Sequence, residues 1–264
     1  MRKYSTLFVL HLNNALEYRG AIVSWMLVEL LSLTSALFLW TGVFANQKFV
    51  STYSYKDMLL YYFFIPVVGM ISQSFITDWL PRKIKDGEIV KDIVKPYSFI
   101  ISVLVTHIAN RITQCLFKLP IYLIIGTSLF LILNPNLHLI NLLGGLLFAV
   151  LAFFMHLCLD LSLSLLTFWF DDSWALSLLK YVAFLIFGGL AFPLSFVPES
   201  VRGLFLWLPF HLVYYLPTAI ILNQVSFNTI IFSVVKCLAW GAFFVVLMNY
   251  LWHAGVRKYA AYGQ

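Results

Sequence analysis

Glu29, Arg111 and Asp160 are ionisable residues set inside long apolar runs, where a charge needs a counter-charge or a watery lining. At 1.5 Å per helical residue, Glu29 lies about 12 Å, Asp160 about 15 Å and Arg111 about 18 Å from the ends of their runs. Opposite charges at similar depth can pair. Arg111 is therefore expected to bond Glu29 or Asp160, as a structural network rather than a substrate site. The alternative starts the third helix outside the apolar layer and leaves Arg111 among lipid headgroups.

His156 and Asp160 stand at i, i+4 on one helix, a spacing that could bind a metal or relay protons. No third ligand is evident, and a hydrogen-bonded core histidine accounts for the pattern. Asp171-Asp172 is an acidic pair of the kind used by metal-dependent lipid enzymes, but the simpler reading is a helix-end turn capping the next helix. Cys115, Cys158 and Cys237 all lie in apolar runs, where a thiol acts as a small hydrophobe, so neither a disulfide nor a metal site follows.

The composition says what must hold these residues. Hydrophobic residues make up 62% of the 264 and charged residues 11%, against about half and about a quarter in soluble domains. The chain is a polytopic all-α membrane protein. Its net charge of +6 comes from clustered basic residues, which suits a positive-inside bias and an anionic lipid surface; no basic run is interleaved with polar aromatics, which argues against nucleic acid. Trp25, Trp40, Trp79, Trp169, Trp174 and Trp252 fall near span ends as an interfacial belt.

Residues 1–19 read as an interfacial amphipathic helix, with Tyr4, Leu7, Phe8, Leu12, Ala15 and Leu16 on one face and Arg2, Lys3 and Arg19 as anchors. Six spans follow, at about Ala21–Phe44, Met58–Thr77 (kinked at Pro66), Ser98–Leu133, Leu139–Phe170, Trp174–Phe192 and Thr229–Trp252. In the third, His107, Asn110, Arg111, Gln114 and Lys118 form a polar stripe, and Asn134-Pro135-Asn136 ends it in a tight turn. Between spans two and three, residues 80–96 (LPRKIKDGEIVKDIVKP) form a charged lever. Ile84, Ile89, Val90, Ile93 and Val94 give it an apolar stripe, so a short amphipathic helix closed by Pro96 is expected. Residues 193–227 are apolar but cut by prolines into pieces too short to cross; they read as two short re-entrant helices. With the N-terminus inside, ten basic residues fall on the cytosolic side and three (Lys48, Lys56, Arg202) outside, which puts both termini in the cytosol. The whole chain, 1–264, reads as one transmembrane domain.

Three pieces taken together resemble one family. DGEIVKDIVKPYSF resembles the coupling segment of ABC type-2 exporter permeases. PLSFVPESVRGLFLWLPFHLVYYLP is similar to their outer re-entrant helices, with Pro198, Leu208-Pro209-Phe210 and Pro217 as its marks. NNALEYRG, WMLVELL and the closing RKY resemble the small bacterial drug- or lipid-type branch. The resemblance implies a non-enzymatic transport subunit of the bacterial plasma membrane that pairs with a second, identical or homologous permease. It also implies an ATPase subunit docked at Arg82, Lys83, Lys85, Asp86, Gly87, Glu88, Lys91 and Asp92. The chain has no G-x-x-x-x-G-K-[ST] motif, so ATP and Mg would sit on that partner. The implied cargo is amphipathic or lipid-like. The competing readings are an ion-coupled secondary transporter using Glu29 and Asp160 as a proton relay, and an intramembrane lipid-modifying enzyme using Asp171, Asp172 or His156 with a metal.

Overall fold

The computed structural model describes residues 19–50, 53–170 and 173–261, together with Thr6, Phe8–Leu10 and Asn13. The expected N-terminal interfacial helix lies almost wholly outside the described residues, and so do Asp171 and Asp172. Helix α1 (Arg19–Phe44) leads to a short antiparallel hairpin, β1 (Phe49–Val50) and β2 (Tyr53–Ser54), which feeds α2 (Tyr55–Ser72). A 3-10 turn (Ile76–Asp78) and two short helices, α3 (Leu80–Lys85) and α4 (Val90–Ile93), connect α2 to α5 (Phe99–Leu133). Then come α6 (Leu139–Leu165), α7 (Ser173–Phe187), α8 (Glu199–Trp207), α9 (Tyr215–Ile221) and α10 (Phe227–Ala261).

Among the described residues, four helices are long and apolar enough to cross a bilayer: α1, α5, α6 (with the turn after it) and α10. The pair Glu199–Trp207 and Phe210–Ile221, bent by 77°, makes a fifth if taken as one broken span. Helix α6 is the central post, packed on α2, α9 and α10, and more than half of its apolar window is buried. Helix α1 is the opposite case. It leans chiefly on α2 and α5, with Trp40 also meeting Phe196 edge to face, and Leu27, Leu31, Phe38 and Leu39 point away from the protein.

Several boundaries depart from expectation. The second span, expected to run through Thr77, stops at Ser72 and unwinds; Pro66 stays inside a continuing helix. The fifth, expected to reach Phe192, ends at Phe187, because Gly188 and Gly189 turn the chain, Gly189 at a φ of +85° that other residues avoid. The sixth runs on past Trp252 to Ala261, since HAGVRKYAA contains no strong breaker. The lever is two helical pieces rather than one, broken at Gly87, whose φ is +75°. At the end of α5, Asn134 adopts the left-handed conformation of a helix stop at the Asn-Pro-Asn turn.

The bent region α8–α9 is tied down at the end of the bundle where α2 begins. Tyr53 meets Phe196 edge to face and bonds Gln224, and the Tyr61 hydroxyl donates to the Gly189 carbonyl at 2.6 Å. Helix α9 lies directly on α6 at Gly145, where an added Cβ would sit 2.6 Å from the Pro217 carbonyl oxygen and closer still to Ile221. The carbonyls freed at the end of α8 are received by α10, with Lys236 donating to Leu206 at 3.0 Å and Trp240 to Trp207 at 3.3 Å. Arg202 closes the start of the same unit on the Ser195 and Val197 carbonyls.

Gly145→Ala should therefore destabilise the protein by about 1–3 kcal/mol through overpacking. Gly144→Ala, whose Cβ would meet Ile220 at an ordinary 3.6 Å, should be near neutral. Thermal unfolding in detergent compares the two; equal loss at both positions would contradict the close docking of α9.

Candidate functional site

Helix α2 stops in the middle of the protein rather than at its surface. From Gln73 to Phe75 the backbone is non-helical, with Gln73 extended (φ −79°, ψ 145°), before the turn at Ile76–Asp78 restarts it. The polar triplet Ser72-Gln73-Ser74 marks the place, since short polar side chains compete with helical hydrogen bonds. Each backbone group freed in an apolar interior costs free energy unless something receives it.

Buried polar side chains from three other helices receive them. Arg111 of α5 donates to the Met70 carbonyl at 3.3 Å, to the Gln73 carbonyl, and to the Gln114 side chain at 3.2 Å; its guanidinium also lies 5.5 Å from the Phe75 ring centre. His156 of α6 faces the Ser72 carbonyl through Nδ1 at 2.9 Å, so Nδ1 carries the proton. Lys180 of α7 donates to the Ser74 carbonyl at 3.2 Å. Asp160 of α6 accepts from the Ser74 hydroxyl at 2.8 Å and from the Ile76 amide at 2.6 Å, and forms an ion pair with Lys180 at 2.8 Å. Asp160 is fully buried.

The expected partnership of Arg111 with Glu29 or Asp160 is thus corrected. Arg111 serves backbone carbonyls, which suit its forked donors, while each acid takes a lysine. Glu29 pairs with Lys118, and the Tyr122 hydroxyl donates to it at 3.2 Å, tethering α1 to α5. Lys118 was legible in the polar stripe of the third span. Lys180 and Lys236 were not singled out, although each is a lysine within an apolar run, the signal that marks Glu29. Among the described residues, no three His, Cys, Asp or Glu side chains converge as metal ligands.

The lever begins four residues beyond Ile76. Leu80, Ile84 and Ile89 are buried, holding α3 and the turn against the bundle. Asp92 is enclosed between Lys83 and Lys95, the latter at 2.6 Å, which clips α4 back onto α3. Burial by itself would raise the Asp92 pKa, but the two ammonium groups outweigh it and hold the carboxyl below the usual carboxylate value. Gly87 faces the Tyr259 hydroxyl near the end of α10, where an added Cβ would lie 3.3 Å away. A cleft of about 730 Å³ separates Ile84 and Lys85 from Thr167–Trp169, Lys258 and Tyr259. Arg82, Lys85, Asp86, Glu88 and Lys91 all face outward. So do Val90, Ile93 and Val94, the last 76% exposed, so the apolar stripe divides between an inner and an outer face.

A helical bundle with unwound backbone and ions enclosed among apolar helices is the build of a polytopic membrane protein. The model of the family described as ABC-2 family transporter protein matches residues 30–263, and the chain belongs to that family: it is an ABC transporter permease, a transmembrane subunit that is not itself the catalyst. Comparison with curated proteins and with solved structures gives no match.

Two measurements check the site. Lys180→Met alone leaves Asp160 as an unpaired buried charge and should cost about 3–5 kcal/mol, whereas Asp160→Asn with Lys180→Met removes the pair together and should cost much less. Equal losses in thermal unfolding would show that the ion pair is not what the single variant breaks. For the lever, a depressed Asp92 pKa means that its stabilisation is present above about pH 3.9 and is lost as pH falls through the lower folded value. Amide exchange over residues 83–95 should accelerate in that acid window beyond the trend of the α6 core, and Asp92→Asn should abolish the difference.

Proposed function

We propose that this chain is the membrane-spanning permease of an ABC exporter, moved by a separate ATPase subunit that carries ATP and Mg. The observation that carries the reading is the lever. It is a clipped, folded element whose inner face is packed on the bundle and whose outer face presents Val90, Ile93 and Val94 among charged residues. An exposed apolar patch rimmed by charge is what a protein partner covers.

In this reading α2 and α7, shorter than the other spans, also cross the membrane, which brings the count to six and sets the lever between the second and third. The charge asymmetry of ten basic residues against three supports an orientation with the lever and both termini in the cytosol and the bent α8–α9 unit outside. The membrane is the bacterial plasma membrane, two permeases pair around a central path, and the cargo is amphipathic or lipid-like. ATP binding closes the ATPase pair, the lever moves with it, and the path shifts from inward to outward access; this requires that the partner bind one lever position better than the other. Arg82, Lys83, Lys85, Asp86, Gly87, Glu88, Lys91 and Asp92 form or border the docking surface, and Pro198, Leu208, Pro209, Phe210 and Pro217 shape the exit. A proton relay through Glu29 and Asp160 fits less well, because each is already held by a lysine.

The tagged permease should bring down an ATP-hydrolysing subunit, and vesicles holding both should transport an amphipathic dye only with ATP. Ile93→Asp with Val94→Asp should abolish capture of the ATPase while leaving the permease's thermal stability within about 0.5 kcal/mol, as for exposed sites generally. Undiminished capture by that variant would rule out docking at the lever, and dye transport driven by a proton gradient without ATP would replace the exporter reading with a secondary carrier.

A further inference from the structure

The break in α2 touches both ends of the machine. On the lever side, the Ile76 amide and Ser74 hydroxyl bond Asp160, the Thr77 carbonyl accepts from Ser177 at 2.9 Å, and the Trp79 indole donates to His107 at 3.1 Å. Leu80 opens α3 at once after that. On the other side, the Ser72 hydroxyl donates to the Val213 carbonyl at 2.9 Å, and the Tyr214 ring lies over Gly69. His156, held by the Ser72 carbonyl, stands 4.5 Å from the Phe184 ring, which meets Phe210 at 5.2 Å and Tyr214 at 5.5 Å. Phe210 follows directly on the 77° bend between α8 and the α9 unit.

We propose that Asp160 is the positioning residue of a transmission joint, gripping the unwound Gln73–Phe75 segment so that displacement of the lever is delivered to the bend at Leu208–Phe210. The inference rests on the exporter reading and deepens it. An unbroken α2 would be stiff, whereas three non-helical residues can absorb the change in φ and ψ that a hinge requires. The bonds that hold the break are suited to following it. Arg111 and Lys180 reach its carbonyls on long side chains from α5 and α7, so they can track a shift that close-packed apolar contacts would resist. Ser74 is held twice, by Asp160 through its hydroxyl and by Lys180 through its carbonyl, and these two ions are bonded to each other. Asp160 also fixes the Ile76 amide, the first group of the turn leading to the lever. The seam from lever to bend is contiguous, and the break is the element to which the proposal assigns the change of arrangement.

Hydrogen exchange on the permease–ATPase complex in lipid nanodiscs, with and without a non-hydrolysable ATP analogue, tests this. In the parent, nucleotide should change exchange in both the lever (residues 84–94) and the bend (residues 208–216). In an Asp160→Leu, Lys180→Met double variant, which keeps the approximate shape but removes the acceptor of both the Ser74 hydroxyl and the Ile76 amide, the lever response should persist, the bend response should be lost, and ATP hydrolysis should continue without transport. Ser74→Ala should weaken the bend response in the same direction, and it decides the matter if the double variant does not fold. A bend response retained in the folded variants overturns the joint and leaves the exporter reading standing, as does a parent whose lever responds and whose bend does not. A parent lever indifferent to nucleotide overturns the exporter reading and the joint together.

Discussion

Backbone that unwinds inside an apolar bundle has no water to turn to, so every freed carbonyl must be met by a protein donor. That requirement, imposed by the three-residue break between α2 and its following turn, explains why Arg111, His156, Lys180 and Asp160 converge where they do. Three donors serve the carbonyls, and one acid serves a hydroxyl and an amide while balancing the lysine. The cluster is costly to enclose, which makes its location informative. It sits where a long helix is interrupted inside the bundle, a few residues before the lever.

The rest of the bundle follows from that arrangement. Helix α6 must be central because it supplies both His156 and Asp160 to the break and also carries α9 on Gly145. Helix α5 is drawn in by Arg111, and through Lys118 it holds α1 by Glu29, otherwise a loosely attached helix with most of its surface uncovered. The α8–α9 unit repeats the same solution on a smaller scale: its broken ends are received by Arg202, Lys236 and Trp240 rather than by water. Broken backbone thus occurs at two depths, and at both a cation from a neighbouring helix closes it. The lever shows the same economy at an exposed site, where Asp92 between two lysines clips two short helices that would be unstable alone.

Reading the charges from sequence alone identified the right kind of residue and paired some of them wrongly. Glu29, Arg111 and Asp160 are conspicuous because each interrupts an apolar run, and depth along a helix gave a plausible meeting of opposite signs. Depth, however, says nothing about azimuth. Lys180 lies on α7 facing Asp160, and Lys118 lies on α5 two turns from Arg111 facing Glu29, so the acids were already taken. Arg111 then found the carbonyls of a helix end that the apolar pattern had not revealed, because Ser72-Gln73-Ser74 is too short a polar interruption to register against the run on either side.

Apolar runs, their lengths and the placement of basic residues determined by themselves that this is a helical membrane protein with a charged lever and a proline-broken region near the end. Those properties follow from the price of polar groups in hydrocarbon, which is paid residue by residue and is visible along the chain. The partners of the buried ions, the site where α2 unwinds and the division of the lever's apolar stripe into an inner and an outer face were decided by tertiary structure. They depend on which helix faces which, and that is settled only when several elements compete for the same space and the same hydrogen-bonding groups.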